Sequence, residues 1–101
     1  MNISIQHKQT KEEAKRRMEV LIQRLKKEYG GQLQNFKEEW SDYTNKVEGS
    51  AKGYSVSGMI DVKDGVVTVD LKLPFLLKVF SSKIKSVVEE QIKKELDDSH
   101  V

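Results

Sequence analysis

Leu73-Pro74-Phe75-Leu76-Leu77-Lys78-Val79-Phe80 is apolar side chain or proline throughout, with a single lysine in it. An alternating pattern runs into it and a helical pattern runs out of it. Joints between a strand and a helix are ordinarily polar and rich in turn residues. An apolar joint is therefore either buried or used for binding.

On the strand side, Val67, Val69, Leu71 and Leu73 alternate with Thr68, Asp70 and Lys72, the period-two signature of a half-buried strand. Lys63-Asp64-Gly65 precedes it as a tight turn, with glycine available for positive φ. Before that turn Tyr54, Val56, Gly58, Ile60 and Val62 share one face, with Ser55, Ser57 and Asp61 on the other. The two strands form a hairpin. On the helix side, after Pro74, Leu77, Phe80, Ile84, Val87, Val88 and Ile92 recur at helical steps, with Leu96 at the margin. Lys83, Lys85, Glu89, Lys93 and Lys94 cover the remaining surface. Phe75 and Val79 project away from this stripe if they already belong to the helix. Either an irregular first turn tucks both inward, or they form an exposed apolar spot. Burying either one contributes roughly 1.5–3 kcal/mol, which favours the tucked arrangement.

The first third of the chain reads as a strand and a helix. Ile3 and Ile5 alternate with Ser4 and Gln6. Thr10 is the expected N-cap, and Glu13 three places on completes a capping box. Ala14, Met18, Leu21, Ile22, Leu25 and Tyr29 then form one stripe, with Arg16, Gln23, Lys27 and a lone Val20 on the opposite side. Gly30-Gly31 is expected to end the helix in the left-handed C′ conformation. From Leu33 to Val47 the anchors are Phe36 and Trp40, with a turn at Ser41–Asn45. Glu38 and Glu39 are neighbours in a strand and so point to opposite faces. A further strand lies near Lys46–Ala51, where Gly49 weakens it or marks a bulge, and Lys52-Gly53 makes a turn.

These elements give the order β-α-β-β-β-β-α. The expected fold is α+β: an antiparallel sheet of about five strands, the N-terminal one at an edge, with two helices packed on one face. Residues 1–97 make one domain and 98–101 a frayed tail. The order is loosely that of a cut-down helix-grip fold, in which a long C-terminal helix crosses a curved sheet.

The 101 residues, 37% hydrophobic and 34% charged, describe a globular chain with a heavily charged surface. The absence of cysteine excludes a disulfide framework and thiolate metal sites, and fits a reducing cytosol. The first residues lack the apolar core of a signal peptide. No apolar run approaches the ~20 residues that cross a bilayer. A cytoplasmic protein is expected. The net charge of +2 is small for a nucleic-acid binder. Residues 8–29 nevertheless hold eight Lys/Arg against four Glu. That helix is either a solvated basic face or a surface for acidic partners.

Catalytic equipment is not visible. His7 and His100 are far apart in the chain, and no metal site or cofactor is expected from them. Ser41, Asp42 and His7 make a triad only on paper, because no nucleophile-elbow sequence surrounds any serine. Asp61-Val62-Lys63-Asp64-Gly65 has the opening of a calcium loop without its later ligands. There is no phosphate-binding glycine loop. Tyr54 shares the core face and the other sheet face lacks aromatics, which counts against RNA stacking.

Three sets of residues carry a resemblance to a known family. They are the early Ile3-Ser4-Ile5 strand with its helix, Gly58-Met59-Ile60-Asp61-Val62 with its hairpin, and Leu73–Phe80 followed by Ile84, Val88 and Ile92. The chain resembles the polyhydroxyalkanoic acid system proteins, also called polyhydroxyalkanoate granule region proteins. Members commonly have a second proline where Val79 stands, which leaves the start of the last helix open. The resemblance implies a bacterial cytosolic accessory protein tied to a storage polyester, and brings no catalytic residues.

The expected function is thus a non-enzymatic binding module for a polyester granule surface or a granule protein. Phe75, Leu76, Val79 and Phe80 would make apolar contact, with Lys78 and Lys83 at the rim. The alternatives are two. One is a carrier of a small hydrophobic ligand in a sheet–helix cleft lined by Tyr54, Ile60, Val69, Leu71 and Ile84. The other is a binder of acidic partners through Lys15, Arg16, Lys26 and Lys27.

Overall fold

The computed structural model describes residues 1–31, 34–51 and 53–97, apart from the side chains of Tyr29 and Ala51. The readings of Leu33, Lys52, His100, the Tyr29 side chain and the tail at 98–101 lie outside the described residues. The elements are β1 (Asn2–Gln6), α1 (Lys11–Tyr29), β2 (Gln34–Ser41), β3 (Thr44–Ala51), β4 (Tyr54–Lys63), β5 (Val66–Lys72), a 3-10 turn (Phe75–Phe80) and α2 (Ser81–Leu96). The five strands form one antiparallel sheet in the order β1-β5-β4-β3-β2. This is the expected α+β fold, with the meander in sequence order and β1 added beside β5.

The register sorts the side chains into two faces. One inward row runs Ile5, Val67 and Val62; the next runs Ile3, Val69, Ile60, Asn45 and Trp40. Ala14, Met18 and Leu21 of α1 and Ile92 and Leu96 of α2 close over these rows as one buried cluster. The opposite face carries Ser4, Lys37, Glu39, Lys46, Ser57, Thr68, Asp70 and Lys72, with Met59 exposed among them. Charged and hydroxylic residues at every second position keep that face in water.

Both hairpin turns on either side of β4 use a glycine with positive φ, Gly53 at 83° and Gly65 at 78°. The β4–β5 turn also holds the start of α1. Asp64 Oδ1 accepts from Lys11 N at 2.7 Å, and Gly65 exchanges backbone bonds with His7 and Gln9. A carboxylate at a helix N-terminus satisfies an orphan donor and meets the positive end of the helix dipole. Thr10 Oγ1 accepts from Glu13 N at 3.2 Å, as an N-cap does. The return half of the capping box is replaced: the Glu13 carboxylate turns to Arg16 and Arg17.

Several expectations are corrected. Gly30 is right-handed, with φ −60°, so it does not end α1 by the left-handed route. Its lack of a side chain matters instead because a Cβ there would lie 2.5 Å from the Lys26 carbonyl oxygen. Gly49 does not interrupt β3; the bulge is on β2, where Asn35 takes φ 55° and the register shifts between Gln34 and Lys37. The extra β2 residue lies across from Gly49, which leaves it room. Tyr54, placed on the core face by alternation, is exposed at the end of β4.

The largest correction concerns the joint. The chain after Pro74 enters a 3-10 helix, and α2 begins only at Ser81. Leu77 N bonds Pro74 O at 2.9 Å, the i→i+3 pattern. At three residues per turn side chains three apart eclipse, so Phe75 stacks over Lys78 and Leu76 over Val79. Of the six, Leu77 alone is half-buried, while Phe75 and Val79 are exposed rather than tucked inward. Further on, Phe80 and Val87 are also exposed, and Leu96, assigned to the margin, is among the most buried residues.

Asn45 is fully buried, and neither its amide nitrogen nor its oxygen has a hydrogen-bond partner. Leaving a buried amide unpaired costs about 1–3 kcal/mol. Asn45→Leu, close in size, is therefore expected to raise the urea midpoint by a stabilisation of that order. A lowered midpoint would show that the amide is held.

Candidate functional site

The 3-10 turn presents Phe75 83% exposed, Val79 80%, Leu76 57% and Phe80 55%. Lys78 in the turn and Lys83 in the first turn of α2 are exposed beside them. All six residues singled out from the sequence are thus exposed within one short segment, residues 75–83. They are held between two fixed points, Pro74 after β5 and the Ser81 N–H, which bonds Lys78 O at the start of α2. Single exposed apolar residues are ordinary, but four large ones within six consecutive positions form a patch.

A second feature lies between the helices and the sheet. The far end of α2 is bound tightly to α1. Arg24 donates to Glu95 Oε2 at 3.2 Å and to Gln91 Oε1 at 3.4 Å, and Arg17 donates to the Glu95 carbonyl at 3.4 Å. Gln9 reaches the Leu96 carbonyl at 3.5 Å. Toward the middle of α2, at Val87, Val88, Gln91 and Ile92, the helices leave a cleft of about 390 Å³ over the inner sheet face. Its closed end is built by the buried Met18, Leu21, Val69 and Ile92. Its floor is Ile60, Leu71, Val47 and Phe36, and its open side is edged by Leu25, Lys26, Gly30 and Val87.

Gly58 explains the low floor. A Cβ on it would stand 2.8 Å from Leu71 Cδ2 and 3.3 Å from Val47 Cγ2, so both side chains lie down over the glycine. Ile60, Val69 and Leu71 were expected in such a cleft; Tyr54 and Ile84 are not in its lining. Lys26, Phe36, Val47 and Val87 were missed as lining residues. Two inward glycines in adjacent strands, Gly49 and Gly58, were the signal in the sequence for a thin stretch of sheet.

A broader hollow of about 780 Å³ spans the outer sheet face and the β2 edge. Lys37, Lys46 and Lys72 alternate there with Glu39, Glu48 and Asp70, so it offers neither a single charge sign nor an apolar floor.

The basic face of α1 is largely occupied within the chain. Lys15 lies over Trp40 and Tyr43 at 5.0 and 5.4 Å, Lys11 over Tyr43 at 4.8 Å, and Lys26 over Phe36 at 5.6 Å. Such contacts contribute ~0.5–1 kcal/mol each at exposed sites. Arg16 and Arg17 share the Glu13 carboxylate. Of the four residues suggested for acidic partners, Lys27 stays simply exposed.

Residues with catalytic potential are occupied too. His7 Nδ1 accepts from Gln9 N at 2.9 Å, which places the ring proton on Nε2, 3.0 Å from the Lys63 carbonyl it donates to. Both nitrogens are thus used, and Ser41 and Asp42 gain no base from His7. Asp61 accepts from Thr44 Oγ1 at 3.1 Å and Asp64 caps α1, so the calcium-loop resemblance dissolves into two structural contacts. Among the described residues no three His, Cys, Asp or Glu side chains stand close enough to hold a metal. Among them, too, no helix is long and apolar enough to cross a membrane.

A one-sided α+β sheet with an apolar patch at the strand–helix joint defines a small module built around its surfaces. Residues 1–96 match the family model described as "Putative polyhydroxyalkanoic acid system protein", and the chain belongs to that family. No curated protein and no solved structure matches it.

Hydrogen bonds from Arg16 and Arg17 lower the Glu13 carboxyl from an ordinary 4.5 to about 2. A depressed carboxyl stabilises the fold above its unfolded value and loses that contribution as pH falls through its folded value. Wild type should therefore exceed Glu13→Gln in stability above pH 4.5, with the gap closing as pH falls to about 2. A gap independent of pH across this window would contradict the pairing.

Proposed function

We propose that this chain is a non-enzymatic accessory module of a polyhydroxyalkanoate storage system, working in the cytosol and meeting an apolar surface of that system through its 3-10 turn. The polyester granule is the favoured surface, and a protein coating it is the neighbouring reading. The observation that carries the proposal is the exposure of Phe75, Leu76, Val79 and Phe80 within one short turn. Each such side chain gains roughly 1.5–3 kcal/mol when fully buried. Lys78 and Lys83 would sit at the edge of the contact, where a charged head stays in water while its stem lies on the apolar surface. Family membership supports the system, and the turn supplies the means of contact.

The test is co-sedimentation with purified polyester granules, with and without their protein coat. Wild type should pellet with stripped granules. Phe75→Ser/Val79→Ser should stay in the supernatant while keeping its unfolding midpoint within about 0.5 kcal/mol, because both positions are on the surface. Equal recovery of the two proteins would remove the turn from the function. Recovery only with coated granules would move the partner to the coat.

A further inference from the structure

The cleft under the middle of α2 has features the surface patch does not. It is apolar on its floor and at its closed end, and its 390 Å³ falls in the lower part of the ~300–1,000 Å³ range of ligand sites. Among the described residues its lining contains one cation, Lys26, and no carboxylate. The cation is at the open side, on the last turns of α1, and the buried Met18, Leu21 and Ile92 are at the other end. Leu71 and Val47 fold down over Gly58 instead of rising to meet α2, so the chain's own side chains leave this volume unfilled. An apolar slot with a single positive charge at its mouth is complementary to an amphiphile with an anionic head and an unbranched tail.

We infer that this cleft binds one acyl chain, its tail along Ile60, Val69 and Leu71 and its carboxylate beside Lys26. The ammonium now rests over the Phe36 ring at 5.6 Å, an exposed contact that a carboxylate can replace at small cost. Gln91, also in the lining, is held by Arg24, which donates to its Oε1 at 3.4 Å. The inference does not rest on the granule-surface reading, since none of the turn's exposed side chains lines the cleft.

Calorimetric titration of the full chain with decanoic acid, below its micellar concentration and at neutral pH, tests the site, with decanol as the uncharged control. Wild type should bind decanoate saturably at one site. Lys26→Glu, at an exposed position, should weaken decanoate roughly tenfold or more, the scale of one lost charged contact, and leave decanol unchanged. Val87→Trp, which fills the mouth from an exposed helix position, should abolish both. Phe75→Ser/Val79→Ser should bind decanoate like wild type, so granule binding and acyl binding can fail separately. Absence of saturable binding by folded wild type, or indifference to both cleft substitutions, overturns the inference. So does a dimer in light scattering that Val87→Trp dissociates, because a second copy would then be the occupant.

Discussion

The last turn of α2 is fixed from three directions, and the rest of the helical layer follows from that anchorage. Ile92 and Leu96 pack into the cluster formed with Ile3, Met18 and Val67. Arg24 grips Glu95 and Gln91, and Arg17 and Gln9 take the final carbonyls. Those carbonyls have no partner inside the helix, and cationic donors there also meet the negative end of the helix dipole. Glu95 is nearly buried, so its pair with Arg24 is screened less than a surface pair would be. With that end set, the sixteen residues of α2 extend about 24 Å from it. The start of the helix, Ser81, lines a hollow together with Met1 and the end of β5.

The joint spans from β5 to that start. Six residues in 3-10 geometry reach about 12 Å, more per residue than an α-helix would. The same geometry turns most of their side chains outward. The two apolar features are neighbours along the chain: the exposed turn leads into α2, and the cleft lies beneath the middle of that helix, at Val87, Val88 and Gln91. The other surfaces are quieter. The outer sheet face mixes lysines with carboxylates, and the basic side of α1 spends its charges on Trp40, Tyr43, Phe36 and Glu13.

The parts of this architecture set by local periodicity were legible in the sequence. The β4–β5 hairpin, the α1 stripe with its Thr10 cap, and an N-terminal strand at an edge all follow from alternation, helical spacing and turn residues; which edge, beside β5, did not. What was hidden depended on distances between elements. Hydrophobicity argued for burying Phe75 and Val79, but burial needs a surface to pack against, and the splay of α2 withdraws it. The 3.6-residue period was carried back into Phe75–Phe80, which obey a 3.0-residue period; Val87 lies within α2 itself and is exposed at the side of the cleft. Gly30 looked like a left-handed cap, yet its role comes from the close Lys26 carbonyl, a contact that no spacing rule encodes. The cleft had only a faint trace in sequence, the two inward-facing glycines Gly49 and Gly58.

The splay of the helical layer is most directly tested by solvent paramagnetic relaxation. A soluble neutral gadolinium chelate should strongly relax the Val79 methyls and the Phe75 ring, while the methyls of Ile3, Met18, Ile92 and Leu96 remain protected. Equal protection along the whole of residues 75–96 would mean that α2 lies flat on the sheet from its first turn, and neither the open cleft nor the exposed joint would survive that result.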